Sequence, residues 1–354
     1  MLFPSLATFE KRLQYLNDKI LVLQSGLWDE NYYLSQSKDI RLDNMEPLDH
    51  YLQIGWKLGY EPSEYFSGKD YYREIPSELG IGAFIYYLRY DRWKPYPVFN
   101  RNIFPINEED IRIYREKKSQ RHSKKVVYTC ITNNYDDLHA IRAHRYIAPE
   151  WDYVCFTDNP EVIAQKTVGI WEVRPLVVTN LDYTRQNRYH KILPHRIFPE
   201  YDESIYIDAN INILSPWVFE RIKEMKTDFV LPQHALRTCI YQEMEEVRTL
   251  GWVDNTLAEE QLQAIRKSGI PYNYGLSENR FLYRKHHKPQ MVSMMEEWWQ
   301  WLIQYTQRDQ LSLMPILWRN TLQLEKYTFP STQLQPQNFL IFRHTAQVLN
   351  DKIK

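Results

Sequence analysis

Residues 204–210 read Ser204-Ile205-Tyr206-Ile207-Asp208-Ala209-Asn210, a hydrophobic run that stops at an acid, a small residue and an amide. A short apolar run bounded by polar residues predicts a buried strand over 204–207. Asp208 and Asn210 leave its end two residues apart, each with an oxygen to offer. Two such oxygens can share a hard divalent ion, Mg²⁺ or Mn²⁺, whose shell is completed by water and phosphate oxygens. A pair of this kind is common by chance, so its weight depends on its neighbours.

Working outward, similar apolar runs predict strands over 126–131, 153–157, 169–173, 228–231 and 280–283, with amphipathic stretches between them. That alternation is the signature of an α/β sheet flanked by helices. Two of the strands end in polar turns, at the carboxyl edge where open α/β sheets bind ligands. The first turn, Thr132-Asn133-Asn134, is a candidate nucleotide contact. In the second, Asp158 is placed to accept hydrogen bonds from a ribose or base, with capping of the next turn as the equal alternative. No glycine-rich phosphate cradle is present, which argues against a dehydrogenase or a P-loop kinase.

The segment from Tyr183 to Lys191 places Arg185, Arg188 and Lys191 at three-residue steps, one cationic stripe if it is helical. A guanidinium fork and an ammonium both suit diphosphate oxygens. A solvated surface stripe is the rival. Met291, Trp298, Trp299, Trp301 and Leu302 lie on a helix expected over 289–305, with the spacing of core packing.

The N-terminal part differs in kind. A helix is expected over 6–23, where Leu6, Phe9, Leu13, Leu16, Ile20 and Leu23 recur at helical spacing and form a packing face, with a membrane-surface helix as the less favoured alternative. A weak aromatic repeat follows: Asn31-Tyr32-Tyr33-Leu34 through His50-Tyr51-Leu52 is echoed by Asp70-Tyr71-Tyr72 through Tyr86-Tyr87-Leu88, and Glu61-Pro62-Ser63 by Lys94-Pro95-Tyr96. Short helical units of that kind stack to bury faces that one unit cannot bury alone. Residues 107–124 are densely charged and read as a connecting helix or linker. The organisation expected is a small helical, aromatic-rich module over 1–106, the linker over 107–124, and an α/β domain over 125–354. A chain of 354 residues is long enough for two cores.

Bulk composition excludes more than it selects. With 44 basic against 45 acidic residues, no global field recruits nucleic acid or an anionic membrane. The 27 Tyr and 11 Trp are read mainly as core, some being suited to stacking on sugar faces. Cys130, Cys155 and Cys239 lack metal spacing, and buried free thiols are expected. Charges within the first 28 residues break any signal or spanning segment, so a cytoplasmic protein is expected, with at most peripheral contact at the inner face of a membrane.

Five segments taken in order carry a resemblance: Tyr128-Thr129-Cys130-Ile131-Thr132, Asp152 to Asp158, Arg188-Tyr189-His190-Lys191-Ile192-Leu193-Pro194-His195, Tyr206 to Asn210, and Arg308-Asp309-Gln310-Leu311-Ser312. Over about 124–320 the chain resembles a glycosyltransferase-like family shared by plant and bacterial proteins, TOD/MUCI-like and long catalogued as a domain of unknown function. Its 29–100 segment resembles a repeat attached to bacterial polysaccharide glycosyltransferases. The resemblance implies a GT-A-type mixed sheet with a Rossmann-like nucleotide-binding half. It also implies a nucleoside diphosphate sugar donor, a glycan or lipid-linked glycan acceptor, and a divalent ion at Asp208 and Asn210. Asn210 stands where the usual motif has a second acid. The resemblance further gives meaning to His234 and Arg237 as donor or acceptor contacts, to Glu278 and Asp309 as candidate bases, and to His344 as a further metal or diphosphate ligand. A helix cap remains open for Asp309, and an ordinary role for His344. The activity implied is sugar transfer in surface polysaccharide assembly. A metal-dependent phosphohydrolase or nucleotidyltransferase and a non-catalytic carbohydrate-binding protein are the alternatives. Homo-oligomerisation is compatible with all three.

Overall fold

The computed structural model describes residues 6–25, 27–37, 40, 42, 44–63, 66–68, 82–91, 108–120, 122–138, 146–335, 337–341 and 344. The chain divides into two compact units, one of residues 1–105 with 333–343 and one of residues 106–332 with 344–354.

In the first unit, α1 (Leu6–Ser25), α2 (Glu30–Ser35), α3 (Pro47–Gln53) and α4 (Ala83–Tyr86) surround an aromatic core. Asp29 caps α2 by accepting the Tyr32 amide at 2.9 Å, and Pro47 opens α3 where its missing N–H costs nothing. Tyr33, Tyr51, Phe66 and Phe84 meet edge to face at 4.8–6.1 Å. The face of α1 expected to pack is not the one that does. Leu13, Leu16, Ile20 and Leu23 are exposed. The packed face is instead Tyr15, Asp18, Lys19 and Val22, itself at helical spacing. Tyr15 and Lys19 bond Asp49, Asp18 accepts Arg89 Nε at 2.8 Å, and Val22 is fully buried. Polar anchors fixed the roll of this helix, which apolar periodicity alone does not reveal. The second copy of the repeat falls largely outside the described residues.

The second unit opens with α5 (Glu108–Ser119), inside the expected charged linker. Its sheet comprises β1 (Lys125–Ile131), β2 (Asp152–Thr157), β3 (Thr167–Val168), β4 (Trp171–Pro175), β5 (Glu203–Ile207), β7 (Phe229–Pro232), β8 (Phe281–Arg284) and β9 (Thr328–Phe329), while β6 (Ile211–Ile213) lies outside it. The order is β3-β4-β2-β1-β5-β8-β7-β9. β4, β2, β1 and β5 run parallel; β8 is antiparallel between β5 and β7. β2 is buried at every residue, and β1 at all but its first, as parallel strands covered on both faces require. The strand expected over 169–173 starts two residues later, because Gly169 at φ 58° turns the chain between β3 and β4.

Helices α6 (Pro160–Ala164), α7 (Tyr183–Ile192), α8 (Pro194–Ile197), α9 (Trp217–Met225), α10 (Ile240–Thr249), α11 (Asn255–Lys267), α12 (Pro289–Gln304) and α13 (Asp309–Arg319) complete the unit. α12 buries Met291, Met294, Met295, Trp298, Trp299 and Leu302 in the core, as its spacing predicted. The three cysteines are buried free thiols. Among the described residues, no helix is long and apolar enough to cross a membrane.

Candidate active site

Because β1, β2 and β5 are parallel, their carboxyl ends deliver Thr132, Asp158 and Asp208 to one edge of the sheet. β7 points the same way and brings His234 there, while antiparallel β8 starts from this edge after Glu278-Asn279-Arg280. The Asp208 amide donates to the Arg280 carbonyl at 2.8 Å, which fastens the turn after β5 to the entry of β8.

Two helices supply the facing charges. α7 is capped by Asp182, and its last turn is pinned from below. The Tyr128 hydroxyl donates to the Lys191 carbonyl at 3.1 Å, and the buried Arg284 guanidinium donates to that hydroxyl at 2.6 Å. α13 is fixed by the indole of Trp298, which donates to the Asp309 carbonyl at 3.1 Å. The result is a buried pair: Lys191 Nζ lies 2.6 Å from Asp309 Oδ2 and 3.5 Å from Asp208 Oδ1. Arg188 Nε, which makes no hydrogen bond, sits 3.6 Å from the same Asp309 oxygen. Burial alone would raise both carboxylates. Lys191 and Arg188 overcome it, holding Asp309 far below the usual carboxylate range and Asp208 below its ordinary value, the latter helped by Arg280. Both acids are therefore ionised at neutral pH.

The other expected residues divide. Arg185 leaves the stripe, since its guanidinium pairs with Asp182 at 2.8 Å at the helix start; only Arg188 and Lys191 reach the acids. The Thr132 hydroxyl donates to the Tyr183 carbonyl at 3.0 Å and ties β1 to α7. Asn133 and Asn134 both take left-handed conformations, φ 52° and 50°, which Asn tolerates better than most residues. The Asp158 carboxylate accepts the Asn133 amide at 2.9 Å and so fastens the turn after β1, while the helix that follows β2 is capped by Asn159 and not by Asp158. His234 accepts the Leu236 and Arg237 amides on Nδ1 at 3.2 and 3.0 Å, which leaves the proton on Nε2. Burial pushes its pKa down to about 4, keeping it neutral. Arg237 donates to Glu243 at 2.6 Å.

Glu278 departs from its expected role. Its buried carboxylate accepts from the Ser331 hydroxyl at 2.7 Å and from the amide and hydroxyl of Thr332. These bonds occupy three of the carboxylate's roughly four acceptor sites and hold it toward residues 331–332, a structural use. Asp309 is the first residue of α13, not its cap, and its carboxylate serves the ion pair. His344 bonds Asp136 at 2.9 Å and its ring lies tilted against that of Tyr135, 4.6 Å between centroids, so it contacts the loop after β1.

Three participants escaped the sequence reading. Arg280 and Arg308 add to the positive field around Asp208 and Asp309 respectively. Glu243, almost wholly buried on the apolar face of α10 with Ile240, Met244 and Val247, accepts Arg237 and lies 3.5 Å from Arg308. An acid at an apolar position of an amphipathic helix was the signal available. Arg308 also stacks over the exposed Trp252 ring, 5.1 Å from its centroid.

The donors were weighed against a divalent ion. Asp208 offers an ionised carboxylate, Asn210 is buried with interactions of its own, and no cluster of three or more His, Cys, Asp or Glu suited to a metal exists among the described residues. This set fits an ion only as a metal–diphosphate complex, in which phosphate oxygens and water supply most of the shell.

A family model, the TOD1/MUCI70 glycosyltransferase-like domain, matches residues 98–335. The probable hexosyltransferase MUCI70 of Arabidopsis thaliana is 28% identical over an alignment of 235 residues that covers 59% of this chain and 39% of that relative's length. Among solved structures, the bifunctional glycosyltransferase WbbM is 12% identical over 55% of this chain and 37% of its own, with a TM-score of 0.37. Mouse xyloside xylosyltransferase 1 is 9% identical over 59% and 84%, with a TM-score of 0.35. The galactosyltransferase LgtC is 12% identical over 54% and 70%, with a TM-score of 0.33.

Proposed function

Since the chain belongs to the TOD1/MUCI70 glycosyltransferase-like family, we propose that it transfers a sugar from a nucleoside diphosphate sugar to a hydroxyl of a glycan acceptor, in polysaccharide assembly. The observation that carries this reading is the Asp208–Lys191–Asp309 arrangement at the carboxyl edge of the parallel strands. Departure of a nucleoside diphosphate concentrates negative charge on its phosphates. Lys191, Arg188, Arg280 and Arg308 are the cations around Asp208 and Asp309 that can meet that charge. The Asn133–Asn134 turn and Asp158 border the place for the nucleoside. Neutral His234 offers its Nε2–H as a donor to sugar or phosphate.

A divalent ion entering with the donor would be held by Asp208, with Asn210 behind it, and would supply Lewis-acid stabilisation of the leaving group. Asp309 is a weak base while Lys191 holds it; a diphosphate that draws Lys191 away raises its basicity as the acceptor hydroxyl arrives. The pairing thus couples donor occupancy to the state of the acid.

The test is product analysis with a panel of nucleoside diphosphate sugars and glycan acceptors, with and without EDTA. Acceptor-dependent release of nucleoside diphosphate is expected, falling about 100-fold or more in Asp208→Ala, as loss of a preorganised charged group does. Release of free sugar or sugar phosphate at full rate without acceptor would make the protein a phosphohydrolase. Glycan binding with no turnover of any donor would make it a binding protein.

A further inference from the structure

The N-terminal unit contains a cleft of about 430 Å³, within the range of small-ligand sites. Tyr51, Trp56, Lys57, Tyr60, Glu61 and Gly68 line it. We propose that this cleft binds a short run of pyranose rings, giving the protein a glycan-binding site separate from the Asp208–Lys191–Asp309 cluster.

The cleft is built from the chain upward. α3 runs into a tight turn, Gly55–Leu58, which ends at Gly59 in the left-handed region, φ 82°, and sends Tyr60 and Glu61 back along it. The Tyr60 amide donates to the Gly55 carbonyl at 3.0 Å. The Glu61 backbone is held at both ends by the side chain of Gln36, amide to Oε1 at 2.8 Å and carbonyl from Nε2 at 2.7 Å. Its carboxylate takes the Gly68 amide at 2.8 Å, which fixes its place in one wall of the cleft.

The Trp56 indole is just as constrained. Its Nε1 donates to the Leu52 carbonyl at 3.1 Å, and a Cβ on Gly82 would lie 2.9 Å from the ring. A glycine at 82 lets the backbone approach the indole, and the spent N–H leaves the ring to act through its faces. Lys57, an exposed side chain, holds its ammonium 5.5 Å from that ring. Behind these, Tyr51 is locked among Tyr33 and Phe84.

A ligand for such a cleft needs an apolar face for the aromatic side chains and a rim of hydroxyls for a carboxylate and an ammonium. A peptide carbonyl would find no donor in the indole, whose N–H is already spent on the Leu52 carbonyl. A pyranose ring has both halves, with C–H groups on one face and hydroxyls at its edge. The rings are held before any ligand arrives, so little ordering entropy is lost on binding. The inference stands on the cleft and is separable from the transfer reading.

The full chain carrying Asp208→Ala is applied to an array of neutral and acidic plant and bacterial oligosaccharides, and the best ligand is titrated by tryptophan fluorescence and calorimetry. Retention of at least one glycan is expected, weakened about tenfold by Trp56→Ala and several-fold by Glu61→Gln, with far-UV spectra unchanged. If Trp56→Ala does not fold, Trp56→Phe and the surface change Lys57→Ala take its place, each with an expected loss of a few fold. No bound glycan, or affinities unmoved by these changes, overturns the inference. So does binding abolished by Lys191→Met but kept in Trp56→Ala, which would put the sugar in the catalytic unit and leave the transfer reading intact. Glycan binding without any transfer leaves this site standing and removes the other.

Discussion

Replacing Lys191 by methionine removes one charge and little volume from the most buried ion pair of the catalytic unit. The side chains of Lys191 and Asp309 are 3% and 7% exposed, and their charged atoms are 2.6 Å apart. Deleting one partner of such a pair leaves an uncompensated charge and costs about 3–5 kcal/mol. Arg188, 3.6 Å from the same oxygen, stays behind, which places the expected loss near 3 kcal/mol. For a unit of this size each kcal/mol moves the melting temperature by about 2–4 °C, so Lys191→Met should melt roughly 6–12 °C lower. The double variant Lys191→Met/Asp309→Asn removes both charges, and a neutral buried pair is tolerated far better than half an ionic one. Its melting temperature should return most of the way to that of the parent, a non-additivity that a double-mutant cycle measures directly. Sugar transfer should not return: single and double variants alike should be slower by two orders of magnitude or more. Calorimetry and steady-state kinetics on the four proteins decide the matter. A single variant that melts with the parent, or a double variant that transfers sugar normally, refutes the reasoning.

Glu278→Gln should lower stability by about 1–3 kcal/mol, because an amide cannot accept every donor from Ser331 and Thr332, while kcat per folded molecule stays near the parent's. Equal loss of kcat in Glu278→Gln and Asp309→Asn would contradict that division of roles. His190 and His234 are pushed down to about 4 and His286 to about 3, in each case chiefly by burial. The unfolded chain takes up these protons first, so stability is lost as pH falls from about 6.5 towards 4, by about 2 kcal/mol per histidine at pH 5. Urea midpoints at pH 7.5 and pH 5.0 measure it, and equal midpoints would refute it. Asn133 at φ 52° should accept glycine within about 0.5 kcal/mol but lose about 1–2 kcal/mol as valine, read by thermal melts. A valine variant as stable as the parent would show that the left-handed turn is not needed.

The strands that were legible are mainly apolar runs of four or more residues: β1, β2, β5, β7 and β8 all came within a residue of their expected bounds, the antiparallel β8 included. β3, β6 and β9 have only two or three residues each, too few for any period to show. Of the site, strand-end positions such as Asp208 could be read, because the acid follows a hydrophobic run. Which charges meet could not. Arg185 and Lys191 share a stripe in sequence, yet one pairs outward with Asp182 and the other inward with Asp309, since the last turn of the helix is held by Tyr128 and Arg284. Glu243 and Arg280 were missed for the same reason, that partners far apart in sequence decide their role.

The bonds from Ser331 and Thr332 to Glu278 also bear on the order in which a growing chain can consolidate. Glu278 leaves the ribosome 53 residues before Ser331, and until that residue and its neighbour arrive its carboxylate has neither donor. Burying it before then leaves a carboxylate without these donors, which disfavours early closure of the edge of the sheet carrying the candidate site. A nascent chain halted before residue 331 should remain sensitive to protease around residues 278–284.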